Sequence, residues 1–437
     1  MRTLFSLLLL SLPLLGFASD DWPQFRGPNQ DGTSDARDVP ISWSESENIE
    51  WKTLLPGKGW SSPVTQKGII WLTTAIEVVP TEAEREKLLA HLPPNKAKRH
   101  NIASSVQLVA LQIQLSTGEI LQNKILATTK QPDSIHSLNS YASPTPVLDG
   151  EQVFCDFGTY GTFALDAVTG EQQWTHTAPL EHSVGPGSSP VVVGDLLILV
   201  RDGVDAQYVV ALDKRSGEVR WQTSRPPMDA PDGDRKKAYC TPYLLTQGDQ
   251  HQLIIPTSQW LVSYVPETGE EIWRAHHGDG FSLVPRPVAD DRAVYFCTGF
   301  GKPQLWAVGH QGSGDVSETH VLWKNPKRIS KKPSPLLADG LLYILEDDGG
   351  ILSCLEAESG EVVWAERLGG NFSASPLLAD DHLYFCNQEG QTHILKPGRN
   401  FQPVAINQLD GSHMASPVPL EGGLLLRTDT ALYRIKS

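Results

Sequence analysis

The feature that most constrains this chain is a repeat. Ala164-Leu-Asp-Ala-Val-Thr-Gly-Glu-Gln-Gln-Trp174 returns as Ala211-Leu-Asp-Lys-Arg-Ser-Gly-Glu-Val-Arg-Trp221. Less regular copies run from Ser263 to Trp273 and from Cys354 to Trp364. A worn copy, Thr117-Gly-Glu-Ile-Leu-Gln122, has Gln where the Trp should stand. In each copy an apolar strand ends in a turn whose Asp and Thr/Ser side chains can bond local backbone, and whose Gly supplies a positive φ. The Trp then opens the next strand, where a large apolar plate can wedge between neighbouring sheets. A single copy would be an ordinary hairpin. Recurrence at one Gly-to-Trp spacing indicates stacked structural units.

A second marker gives their number. A Pro, in most units after Ser or Thr, precedes a short apolar strand, a Gly/Asp turn and a second apolar strand. The prolines are Pro63, Pro146, Pro190, Pro242, Pro287, Pro335, Pro376 and Pro417. After a first gap of 83 residues they lie 41 to 52 apart, which is the period of four-stranded propeller blades. Segments such as 333–345 (PSPLLADGLLYIL) have the turn residues and the Val/Leu/Ile/Tyr content of paired strands. The fold class is therefore all-β: an eight-bladed β-propeller of four-stranded antiparallel blades over residues 49–437.

The last unit has room for only three strands after Pro417. At the other end, Glu47-Asn-Ile-Glu-Trp51 imitates the Glu-x-x-Trp of the repeat. Residues 49–55 are thus expected to pair with Ala431–Ile435 as the outer strand of the eighth blade, which removes the free edges of an open ring. Trp51, Trp174, Trp221, Trp273 and Trp364 are the expected docking plates. Residues 19–48 (WPQFRGPNQDG within them) read as an irregular, packed segment with Arg26 in a structural role, and removal up to Trp22 is expected to be mild. Residues 77–105 interrupt the first unit. There Thr81-Glu-Ala-Glu84 is a capping-box pattern before helix formers through Leu92, ended by Pro93-Pro94. This insertion can be a solvated decoration or a lid.

Acidic residues outnumber basic ones, 51 to 36, for a formal charge of −15. That argues against nucleic acid or an anionic membrane as a partner. Met1-Arg2, the apolar run Leu4 to Leu15 and Gly16-Phe17-Ala18 read as a signal peptide over residues 1–18, too short to span a bilayer. A periplasmic or secreted monomer is the expectation, with no membrane span. Cys155, Cys240, Cys297, Cys354 and Cys386 are odd in number and contain no CxxC, which favours buried thiols.

The pattern Ala-x-Asp-x-x-Thr-Gly-x-x-x-Trp, matched throughout by residues 164–174, resembles the tryptophan-docking motif of the pyrroloquinoline-quinone repeat family. The likeness covers nearly all of 49–437. The opening WPQFRGPNQDG resembles the start of exported propeller proteins of planctomycete-type bacteria, and the group is similar to the propeller subunit of the outer-membrane barrel-assembly machinery. Enzymes of the family hold the quinone with calcium, using Glu, Asn and Asp ligands and usually a disulfide of adjacent cysteines. This chain has no adjacent Cys pair and no evident ligand set, so no cofactor or metal is carried over, and no catalytic residue is assigned.

Loops entering the inner strands shape one rim of a propeller. On that rim stand Trp60, His136, Asn139, Tyr141, Arg201, Asp202, Asp205, Tyr239, Arg286, Lys332 and His413, with His182 and Lys331 in similar places. Each can satisfy backbone groups at a blade entry; together they can form a mixed polar and aromatic mouth. Asp202 and Asp205 suit calcium only weakly. No G-x-S-x-G, H-E-x-x-H or P-loop is present. Two functions lead, ahead of other enzymes such as carbohydrate-active ones: an exported, non-catalytic binding or scaffold propeller for an envelope protein or small ligand, and a quinone-dependent oxidoreductase with atypical ligands.

Overall fold

The structure, a computed structural model, describes residues 20–436; the expected leader lies outside them. Eight sheets, each with four antiparallel strands, follow one another around a ring, and two of them carry a short fifth strand in parallel. Blades 1 to 7 occupy residues 64–130, 147–176, 191–224, 243–276, 288–325, 336–367 and 377–408. The chain belongs to the all-β class, an eight-bladed β-propeller. Middle strands are covered on both faces and read as continuous apolar runs; Leu341–Leu345 (LLYIL) is buried at every residue. Outer strands alternate, as in Val321–Asn325. Cores form between blades: Ile198, Val200, Val209 and Ala211 of blade 3 meet Leu253, Ile255, Val262 and Tyr264 of blade 4. Each such aliphatic side chain contributes about 1.5–3 kcal/mol.

The repeat motif joins each blade to the next. Trp174 Nε1 donates to Lys214 O, Trp221 Nε1 to Pro266 O and Trp364 Nε1 to Gly398 O, each at 3.0 Å. The acceptor in the first two is the residue after the Asp position of the following blade's turn. That turn's glycine lies on the indole: a Cβ on Gly217 would come within 2.7 Å of Trp174, and one on Gly269 within 2.3 Å of Trp221. The glycine is therefore needed for close approach as well as for its φ near +70°. Trp323 is a further plate, bonded to Ala357 O at 3.0 Å and covered by Gly360; the altered turn before it, 316–320, hid it in the sequence. Where Gln122 replaces Trp, its amide bonds Thr169 O, and Trp71 supplies the bond to Ala167 O. Trp273 also lies in the core between blades 4 and 5, but with a different acceptor. It is fully buried, and its Nε1 donates to Gln252 Oε1 in its own blade. Blade 5 lacks the motif turn, and Gly314–Asp315 instead pairs parallel to Trp273–Arg274.

Blade 8 is built from Val418–Leu420, Gly423–Arg427, Ala431–Lys436 and the N-terminal strand Ile49–Leu54. The last two pair antiparallel from Ile49↔Ile435 to Leu54↔Ala431, with a bulge between Ile49 and Trp51. Trp51 Nε1 donates to Leu115 O of blade 1 and so links the ends of the ring.

Residues 22–34 cross the channel at the opposite end from the blade-entry loops. Trp22 exchanges backbone bonds with Thr65 of blade 1, and Pro23 O accepts from Leu148 of blade 2. Gln30 Oε1 accepts from Leu244 N of blade 4, and Thr33–Ser34 pairs parallel to Leu378–Ala379 of blade 7. Trp22 is buried in the core between the first and last blades. Removal through Trp22 is therefore expected to be disruptive rather than mild. Within the first blade, the helix Glu82–Leu89 is capped by the Thr81 hydroxyl, and His100–Asn101 returns to pair with Ile135–His136. All five cysteines are free and buried, and burial pushes the Cys297 thiol up to about 12.

Candidate functional site: an axial cup

The Ser/Thr-Pro marker builds a hydrogen-bonded collar around the axis. The backbone N–H before each proline donates to the hydroxyl of the next blade: Ser62 to Thr145 Oγ1, Thr145 to Ser189 Oγ, Ser189 to Thr241 Oγ1. Ser334 donates to Ser375 Oγ, Ser375 to Ser416 Oγ and Ser416 to Ser62 Oγ. These bonds lie between 2.9 and 3.0 Å. Arg286 takes the hydroxyl's place in blade 5. Its N–H still donates to Ser334 Oγ, while its guanidinium binds Pro242 O, Phe25 O and Gln30 Oε1.

Above this collar opens a cavity of about 460 Å³, a size suited to a small organic ligand. Phe25 of the crossing segment closes its floor, and Trp60, Tyr239, Phe281 and Phe300 give it aromatic walls. His136, Asn139, Lys237, Lys332, Asp347 and Asp348 supply its polar groups. The insertion covers one side: His100 pairs with His136, and Lys96 meets Asp234 at 3.3 Å.

Of the residues singled out from the sequence, the structure brings Trp60, His136, Asn139, Tyr239 and Lys332 into this cup. The others face elsewhere. Arg201 forms a fully buried two-pronged pair with Asp156, and Asp202 forms another with Arg225. Asp202 is therefore no calcium ligand, and Asp205 accepts from Glu181 N–H. Arg286 is a fully buried anchor of the floor. Tyr141 is buried with its hydroxyl on Asp133 O, and His413 is buried near Gly390 O and Arg427 O. His182 lies behind the cup, where its Nε2 accepts from Thr159 N–H. Lys331 stays beside the mouth, 2.8 Å from Asp348. Sequence reasoning missed Phe25, Lys237, Phe281, Phe300, Asp347 and Asp348. Asp347 and Asp348 follow the second strand of blade 6, and the regular position of such a loop at a rim was the one available signal.

The polar groups are largely engaged. Lys237 is ion-paired with Asp234 and 3.1 Å from Ser183 Oγ; burial holds its pKa below the usual lysine range. Asp347 meets Lys332 at 3.3 Å and accepts from Lys331 N–H. The Lys331 ammonium holds Asp348 low. Asn139 donates to Val184 O and Pro186 O and accepts from Ser143. His136 Nδ1 accepts from Leu138 N–H, which places the proton of the neutral ring on Nε2. Burial, then Lys332, Arg99 and Lys237, lowers its pKa. These residues do not fit the calcium site that the family resemblance implies. Both carboxylates of the cup are tied to lysines and its amide is saturated. Among the described residues no group of three or more His, Cys, Asp or Glu is placed to hold a metal.

The model of the family described as outer membrane protein assembly factor BamB, a pyrroloquinoline-quinone-like repeat propeller family, matches residues 41–223 and 257–413. The chain belongs to this family. Within and around it, the chain is similar to proteins of two kinds. A 1-butanol dehydrogenase (quinone) of Thauera butanivorans is 25% identical over 218 residues, 41% of this chain and 33% of that enzyme. The chain thus matches about a third of the length of that curated relative. BamB of Moraxella catarrhalis superposes with a TM-score of 0.51 at 14% identity, covering 84% of this chain and 99% of BamB. Quinohemoprotein alcohol dehydrogenase of Comamonas testosteroni gives 0.66 at 12% identity, covering 95% and 80%. At these identities the structural likeness is one of fold. No helix among the described residues is long and apolar enough to cross a membrane.

Proposed function

We propose that this chain is an exported, non-catalytic binding propeller of the cell envelope, acting as a monomer and taking its ligand in the axial cup. The observation that carries this reading is an aromatic-walled cup whose basic groups are already engaged. The His136 lone pair is taken by Leu138 N–H, and Asp347 and Asp348 by lysines. Each of these groups already has a hydrogen-bond or ion-pair partner, which favours binding over general base catalysis. The leader-like residues 1–18 and the likeness to an outer membrane assembly factor support the envelope location.

Partial identity to a quinone-dependent butanol dehydrogenase favours a second reading, alcohol oxidation. Pyrroloquinoline quinone and Ca²⁺ added to the mature protein separate the two. The binding reading expects no alcohol-dependent dye reduction. Saturable quinone uptake with dye reduction by 1-butanol would overturn it.

A further inference from the structure

The insertion in the first blade is thinly attached. Of its helix Glu82–Leu89 only Leu89 is buried, and the turn Pro94–Ala97 buries nothing. Its internal bonds are local: the Arg85 guanidinium donates to Ala97 O and His100 O, and Ser104 Oγ donates to Glu84. Beyond blade 1 it is fastened at two places. At the near one, His100–Asn101 pairs antiparallel with Ile135–His136 of the loop entering blade 2, and Ser137 N–H donates to Arg99 O at 2.7 Å. At the far one, Lys96 meets Asp234 of the loop between blades 3 and 4 at 3.3 Å, with both side chains partly exposed. The segment thus straps loops of one rim together. A segment with so little apolar burial opens at low free-energy cost.

The near fastening holds two histidines. His100 and His136 stand opposite each other in the two-residue ladder, with ring centroids 6.2 Å apart. Lys96 and Arg99 of the strap, Lys237 of the loop between blades 3 and 4 and Lys332 of the loop entering blade 6 surround them with positive charge, against Asp234. Burial first, and then these cations, hold both rings below the usual histidine range. His100 Nδ1 lies 3.0 Å from Ser134 Oγ, and His136 Nδ1 accepts from Leu138 N–H at 3.2 Å. A proton added at His136 Nδ1 removes that acceptor and puts a further charge into a positive field. Opening the strap returns both rings to water, where a histidine titrates near about 6.5. The closed strap therefore has its full stability above about pH 6.5 and loses it as the pH falls towards the lower values of the closed state.

We propose that residues 77–105 form an acid-released strap: neutral His100 and His136 hold it across the rim, and their protonation frees it together with the cup wall at Leu138 and Asn139. Its use as a gate rests on the reading of the cup as a binding site; the release itself does not.

Hydrogen exchange of the mature protein, read by mass spectrometry and corrected for the intrinsic pH dependence of exchange, measures release without any ligand. Protection of peptides covering 94–102 and 131–139 should fall about tenfold or more between about pH 7.5 and 5, while the middle strand Leu341–Leu345 keeps its own. His100→Gln should cut that response to about threefold or less, and Lys96→Met should lower strap protection at both pH values. An equal fall in strap and middle strand, or an undiminished fall in His100→Gln, overturns the proposal. Where His100→Gln alters the far-UV circular dichroism, His136→Gln asks the same question from the other side of the ladder. The neutral dye N-phenyl-1-naphthylamine then tests the gate: its association with the cup should quicken about tenfold over the same pH range. Association that ignores pH while the strap is released overturns the gate, and a dye that does not bind overturns the cup reading alone.

Discussion

The contact between Trp221 and Gly269 allows the blade-joining account to be tested as a coupling. Trp221→Ala removes an indole packed between blades 3 and 4 and its bond to Pro266 O; the expected loss is about 3–5 kcal/mol. Gly269→Ala acts on the other side of the contact. The residue holds φ +71°, where an L side chain costs about 1–2 kcal/mol. Its new Cβ would stand 2.3 Å from Trp221 Cε3, and such overpacking costs about 1–3 kcal/mol more. The two terms separate in the double variant. Without the indole the added methyl meets no clash, so only the left-handed backbone cost remains. The double variant should be more stable than the sum of the single losses predicts by about 1–3 kcal/mol. Guanidinium denaturation followed by far-UV circular dichroism measures this independently of the lost tryptophan. Additivity within about 0.5 kcal/mol would refute the claim that this glycine exists to admit the neighbouring blade's plate.

Other expectations follow from single features. Arg201→Met leaves Asp156 charged and buried without its partner, and should cost about 3–5 kcal/mol; chemical denaturation of this variant beside Arg215→Met, on the exposed turn, shows whether the loss is specific. Burial lowers the pKa of both His182 and His277 to about 4, so each is neutral in the fold. Between about pH 6.5 and 4 the unfolded chain then binds more protons than the folded one. Stability from these two groups is full above about pH 6.5 and falls as the pH drops towards 4, and His277→Gln should flatten that decline in melting temperature. Ser189→Ala removes the acceptor of the buried Thr145 N–H and should cost about 1–3 kcal/mol; an unchanged melting temperature would show the collar bond to be idle. Removing residues through Leu55 takes away the outer strand of blade 8 and should yield aggregates in size-exclusion chromatography, whereas a stable monomer would contradict ring closure.

The architecture was legible because it is periodic. Eight prolines and the Gly-to-Trp spacing set the blade count, and Glu50-Trp51 pointed to the strand that completes the last blade. Where periodicity failed, so did the reading: Trp323 sits behind an altered turn and went unrecognised as a plate. The cup was half legible. Position at a blade entry finds Trp60, His136 and Lys332, but cannot tell an inward side chain from one spent on a neighbour. Arg201, Asp202 and Arg286 look like site residues because they are charged at a rim. Their partners carry no repeat signal: Asp156 lies in the preceding blade, Arg225 just past the outer strand of Asp202's own blade, and Phe25 O in the N-terminal segment. Phe25 closes the floor from a segment that carries no repeat signal at all.

The measurement that bears most directly on the central claim is a crystal structure of the mature protein with 8-anilinonaphthalene-1-sulfonate. The account predicts one molecule in the axial cup, its rings against Phe281, Phe300, Trp60 or Tyr239. A cup that stays filled with solvent while the probe sits on an outer blade edge would contradict it.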